Sequence, residues 1–99
     1  MNIIIVGLGT AGKHYLNLIK NKKNIKIYVI DKSVLSTSKN YKQITLKDIS
    51  EKKLHFDYAF IASPSGSHFE HAMFFLKIGS NVLIEKPFVL RLDHARKLI

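Results

Sequence analysis

The residues with the clearest chemical meaning lie near the start of the chain. Gly7-Leu8-Gly9-Thr10-Ala11-Gly12 matches G-x-G-x-x-G. The motif follows an apolar run and opens an amphipathic segment, the context that gives it meaning. Gly7 suits a tight turn, Gly9 lets backbone approach a diphosphate, and Gly12 lets a helix pack close to a strand. The amides of Thr10 and Ala11 are among the unpaired donors of a helix start, where the helix dipole favours an anion. Asp31 follows Gly12 by 19 residues. That spacing suits a carboxylate accepting hydrogen bonds from the ribose hydroxyls of adenosine, and it repels a 2′-phosphate. The expected cofactor is therefore NAD, with NADP possible because Lys32 and Ser33 stand ready to contact a phosphate.

Two further clusters end apolar runs. Ser63-Pro64-Ser65-Gly66-Ser67-His68 follows the run through Ala62, and Glu85-Lys86-Pro87 follows Val82-Leu83-Ile84. In open α/β sheets ligands sit beyond the carboxyl ends of the strands, so both clusters should border the crevice of the glycine turn. Pro64 would stiffen its loop. His68 either contacts a ribose or the diphosphate, or it caps and packs. Lys86, beside a nicotinamide, would hydrogen-bond a substrate hydroxyl or carbonyl and pass a proton, whereas a plain strand-end salt bridge with Glu85 is the competing reading. Glu85 either binds the nicotinamide ribose or holds Lys86, and Pro87 is a candidate for a cis peptide. His68 and His71 are spaced i, i+3. Two histidines without a third ligand or an HExxH pattern do not make a metal site, and none is expected.

The elements that would position these residues follow from periodicity. Asn2–Val6 reads as a strand buried on both faces. Thr10 to about Asn21 reads as a helix with Ala11, Tyr15, Leu18 and Ile19 on its buried face. Ile25–Asp31 is a second strand, Val34–Asn40 a polar loop and Gln43–Thr45 a very short third strand. Leu46–Lys53 is a short helix with Leu46, Ile49 and the Lys53 stem inward. Asp57–Ala62 is a strand, and residues 63–66 form a turn cluster. Ser67–Ile78 is a deeply packed helix capped by Gly79, Asn81–Glu85 the last strand, and Leu92–Ile99 the start of another helix. Strands alternating with helices imply a parallel, doubly wound sheet with helices on both faces. With the strand near Gln43 included, the order is 3-2-1-4-5.

Bulk properties narrow the remaining classes. The 99 residues make one small domain, with 46% hydrophobic and 23% charged residues, an ordinary globular balance. There is no cysteine, which removes disulfides and cysteine-based zinc sites. The net charge is +9, yet all but Arg91 and Arg96 of the 16 basic residues are lysines, scattered through every segment. That is a poor phosphate and base reader, so nucleic-acid binding is not expected. No apolar run is long enough to cross a bilayer and no signal peptide is read, which points to a cytoplasmic, membrane-free protein.

Taken together, the glycine turn, Asp31, Ala62-Ser63-Pro64-Ser65 with His68, and Glu85-Lys86-Pro87 resemble the Gfo/Idh/MocA oxidoreductases in order and spacing. Glu-Lys-Pro is the most specific part of this resemblance. It implies that Lys86 is catalytic and that Ser63, Pro64, His68 and Glu85 touch the cofactor. It implies hydride transfer between a nicotinamide and a hydroxyl or keto group of a sugar, cyclitol or related molecule. The family's second α/β domain, which holds substrate and usually forms the oligomer interface, lies outside these 99 residues. Residues 1–99 are therefore expected to be a Rossmann domain incomplete at its C-terminus, inactive alone and part of a homo-oligomer at full length. The alternatives are a non-catalytic nucleotide-binding or regulatory module and a basic interaction domain without cofactor.

Overall fold

The computed structural model describes residues 1–33, 38–63 and 65–84, with the backbone alone for Ser65 and His68. Eight elements alternate along the chain: β1 (Asn2–Val6), α1 (Thr10–Ile19), β2 (Lys26–Ile30), β3 (Lys42–Gln43), α2 (Leu46–Lys52), β4 (Tyr58–Ile61), α3 (Ser65–Lys77) and β5 (Asn81–Ile84). The five strands form one parallel sheet in the order β3-β2-β1-β4-β5. This is the doubly wound Rossmann-type order expected from the pattern, but the third strand is Lys42–Gln43 rather than Gln43–Thr45, because Thr45 caps α2.

The register explains where a site can form. Val6 pairs with Ile30 on one side and Ile61 on the other, and Ile61 pairs with Ile84. The carboxyl ends of four strands therefore finish level. From β1 the chain crosses to β2 in one direction, and β4 pairs with the other edge of β1, so the order reverses between β1 and β4. Such a switch point leaves a crevice, because the connections depart to opposite faces.

Alternation along β1 supplies two cores. Ile4 and Val6 pack with Ile49, Phe56, Ile61 and Phe75 on the face covered by α2 and α3. Ile3 and Ile5 pack with Leu8, Leu16, Ile19 and Val29 on the face covered by α1. Full burial of each such aliphatic side chain contributes about 1.5–3 kcal/mol, which makes β1 the spine of the fold. At the amino edge Asp57 staples the sheet. Its carboxylate accepts from the Asn2 amide at 2.8 Å, and its carbonyl accepts from the Asn81 amide at 3.0 Å.

Several expectations are corrected in detail. In α1 the buried face is Gly12, Leu16 and Ile19, with Tyr15 half-buried, while Leu18 is 59% exposed. The i, i+4, i+7 row starting at Gly12 faces the sheet, and Leu18 falls off that row. Lys53 does not lay its stem inward. It is exposed and ends α2 in the left-handed region at φ 51°. The helix expected from Ser67 begins at Ser65, because small polar residues fit the first turn, where the amides lack intrahelical partners. Nor is α3 deeply packed all round: Ala72 and Phe75 are buried, whereas Leu76 is 41% exposed. Gly79 does follow α3 with φ +90°, the left-handed conformation that suits a glycine past a helix end. The C-terminal helix expected from Leu92, the start of the loop from Val34, and Pro64 lie outside the described residues.

Candidate functional site

The first loop after β1 is built by two glycines that the fold itself requires. Gly7 has φ +92°, and a Cβ there would come within 2.9 Å of the Ala62 carbonyl oxygen and of the Ser63 Cα and nitrogen. A Cβ on Gly12 would collide with the Gly7 carbonyl oxygen and stand 3.3 Å from Ile5 Cγ2. Gly7 therefore lets the turn touch the end of β4, and Gly12 lets α1 close onto the turn.

Gly9 is different. Its φ is −78° and ψ −157°, a backbone any residue adopts, and a Cβ there would meet nothing within 4 Å. Nothing among the described residues requires glycine at this position. It stands at the N-cap of α1, where no side chain caps the helix and no acidic residue occupies the first turn. A side chain at position 9 would fill open space beside the amides of Thr10 and Ala11. That space fits a diphosphate approaching the backbone, with the helix dipole supplying favourable charge.

The neighbouring carboxylate is held in place. Asp31, one residue past β2, accepts from the Leu8 amide at 2.7 Å and from the Ser33 amide at 2.9 Å. These bonds hold its carboxyl below the usual carboxylate range, Ser33 contributing most and Leu8 next, against a smaller opposing effect of burial. Asp31 is thus an anion at neutral pH and ties the glycine turn to the end of β2. The Gly7 amide reinforces the same joint by donating to the Ile30 carbonyl at 2.7 Å. Beyond it Lys32 and Ser33 are exposed, and Gln43 Nε2 donates to the Ser33 carbonyl at 2.7 Å, tethering that loop to β3. The Lys32 amide also lowers the carboxyl pKa, and with four lone-pair positions Asp31 keeps capacity for a ribose hydroxyl.

On the other side of β1, Ser63 is buried at 7% exposure and lies against Gly7. Its Oγ is 2.8 Å from His71 Nδ1 in α3. Among the sequence-derived candidates, the structure places Gly7, Gly9, Thr10, Ala11, Gly12, Asp31, Lys32 and Ser63 beyond the carboxyl ends of β1, β2 and β4, at the middle of the sheet. The His68 backbone lies in α3. Pro64, Glu85, Lys86 and Pro87 lie outside the described residues. Sequence reasoning missed Leu8 as the amide partner of Asp31, Gln43 as the tether of the following loop, and His71 as the partner of Ser63. The spacing of His71 from His68 drew attention to metals instead. Among the described residues no three His, Asp or Glu side chains gather as a metal site. No helix among them is long and apolar enough to cross a membrane.

The model of the Gfo/Idh/MocA oxidoreductase family, NAD-binding Rossmann fold, matches residues 1–99. Mouse biliverdin reductase A is 29% identical over 100 residues, which cover 97% of this chain and 34% of that protein. D-xylose 1-dehydrogenase (NADP+) of Hypocrea jecorina is 42% identical over a shorter stretch of 43 residues, covering 43% of this chain and 11% of that enzyme. Among solved structures, GenD2 from gentamicin A biosynthesis, in complex with NAD, superposes with a TM-score of 0.84 at 26% identity, covering 99% of this chain and 30% of its own. The chain thus spans about a third of the length of the full-length relatives it matches along its whole extent. An uncapped helix behind a G-x-G-x-x-G turn, an anionic Asp31 at the next strand end and a family match along the whole chain lead to one assignment: the protein belongs to the Gfo/Idh/MocA oxidoreductases and carries their NAD-binding Rossmann fold.

Proposed function

We propose that residues 1–99 form the cofactor-binding part of an NAD-dependent oxidoreductase whose substrate is held by a second α/β domain outside these residues. The observation that carries this reading is Gly9, a glycine that packing among the described residues does not need and that leaves room beside the first amides of α1. In this reading Thr10 and Ala11 donate to the diphosphate, and Asp31 accepts from the adenosine ribose. The bonds from Leu8 and Ser33 keep Asp31 charged, which supports NAD over a 2′-phosphorylated cofactor. Lys32, exposed beside it, is the residue that would temper that preference.

The nicotinamide supplies hydride transfer. The chain's own part is to hold that ring and to move a proton at the substrate oxygen, a role we assign to Lys86. Ser63, Pro64, His68 and Glu85 are proposed to line the same crevice and contact the cofactor. A hydroxyl or keto group of a sugar, cyclitol or related small molecule is the proposed reacting centre, and the stretch shared with the xylose dehydrogenase supports it. The longer match to biliverdin reductase A favours a second reading, reduction of a substrate that is not a sugar. A cytoplasmic, homo-oligomeric full-length enzyme completes the proposal.

Titration of the chain with NADH and with NADPH, followed by fluorescence, tests the cofactor reading. Saturable binding with NADH preferred is expected, and no binding of either would overturn it. In an enzyme carrying the substrate domain, Lys86→Ala should lower kcat far more than it changes NADH affinity. Unchanged turnover would remove Lys86 from the chemistry.

A further inference from the structure

We propose that His71 is a positioning residue for the cofactor site, acting through the Ser63 hydroxyl to hold the end of β4 against the glycine turn. This rests on the cofactor reading above. The observations are three. Ser63 is buried at 7% exposure, so its hydroxyl must be satisfied inside the protein, and the His71 ring provides that partner at 2.8 Å. The Ser63 backbone stands so close to Gly7 that even one added carbon would come within 2.9 Å of it. The Ala62 amide donates to the Val6 carbonyl at 2.8 Å, which locks the residue just before Ser63 to the residue just before Gly7. Residues 62 and 63 are therefore a wall against which the turn is formed, and His71 anchors that wall to α3.

The chemistry of the pair gives the anchor a second consequence. A hydroxyl carries one proton and two acceptor positions. When Nδ1 accepts from Ser63, the oxygen keeps its acceptor capacity, as a sugar hydroxyl would need. When Nδ1 donates, the Ser63 proton is released for an acceptor such as a phosphate. The tautomer of His71 thus decides which polarity Ser63 offers.

Asparagine places its amide on Cγ, where Nδ1 sits in histidine, whereas glutamine places it one bond further out. NADH affinity is measured for the full chain and for His71→Asn, His71→Gln and His71→Leu, at a temperature where circular dichroism shows each folded. We expect His71→Gln and His71→Leu to bind about 5–30-fold more weakly, the cost of one lost buried hydrogen bond. His71→Asn should stay within about twofold of the parent, because it keeps the bond. Equal affinity across all four proteins overturns the inference, and so does His71→Asn binding as weakly as the other two, since that outcome assigns His71 to packing. If His71→Leu does not fold, the contrast between the asparagine and glutamine variants decides. If the unaltered chain binds neither NADH nor NADPH, the cofactor reading itself has failed and the inference falls with it. The unaltered chain separates these two failures.

Discussion

Two helices of this protein begin in opposite ways. α2 opens at Thr45 with a complete capping box: the Thr45 hydroxyl accepts from the Asp48 amide at 3.1 Å, and the Asp48 carboxylate accepts from the Thr45 amide at 2.9 Å. α1 opens at Gly9 with no side-chain cap and no acidic residue in its first turn. Capping satisfies donors that the helix cannot pair itself and favours negative charge at its positive end. α2 meets both needs with its own side chains, and α1 meets neither. The contrast teaches that α2 satisfies its own start, whereas the start of α1 is left open, as the proposed diphosphate site requires. The Asp31 carboxylate is taken up by the Leu8 and Ser33 amides, so it braces the turn rather than capping the helix.

The contrast can be broken within the turn itself. Gly12→Val should have the largest effect, because its Cβ meets the Gly7 carbonyl. A cost upward of about 3 kcal/mol is expected, read as loss of the cooperative thermal transition. Gly9→Val should leave thermal stability nearly unchanged, since a Cβ there meets nothing within 4 Å. NADH affinity should nevertheless fall by about 100-fold or more, because the side chain takes the diphosphate's place. Retained affinity in a folded Gly9→Val protein would mean that the open space at α1 is not the site.

The remaining tests sharpen the contrast. Asp31→Asn keeps the shape but loses the charge, and NADH binding should weaken by about 10-fold with calorimetry as the readout. The pH dependence follows from the direction of the shift. Because the folded protein lowers the Asp31 pKa, its stabilising bonds are fully present above the ordinary carboxylate value near 3.9 and disappear as pH falls through the lowered value. Asp31 should therefore impose no change on affinity or stability between neutral pH and about pH 5. A carboxyl titration by NMR with a midpoint above the ordinary value would contradict the geometry. Thr45→Ala should have the smallest effect on function. It removes one cap and lowers Tm by about 4–8 °C, while NADH affinity stays as it was. A parallel loss of affinity would show that α2 is coupled to the site.

The sequence by itself determined those features that depend on neighbours along the chain. The apolar run Ile3–Val6, the glycine motif behind it and the helix after it specify a strand–turn–helix unit because period, turn residues and helix start are all local. The repeated alternation then permits little besides a parallel doubly wound sheet, with a third strand near Gln43, although its bounds were not legible. Tertiary structure decided the partners. That Asp31 holds the Leu8 amide, that Ser63 meets His71, and that Gly7 and Gly12, unlike Gly9, are needed by the packing of the described residues, all depend on contacts between segments joined by loops. Loops carry no period, so no spacing rule transmits such pairings. The same reason explains Leu18, whose type suits a core but whose angle around α1 points it to water. Composition supplies an apolar residue, and only the docked helix settles which of its rows meets the sheet.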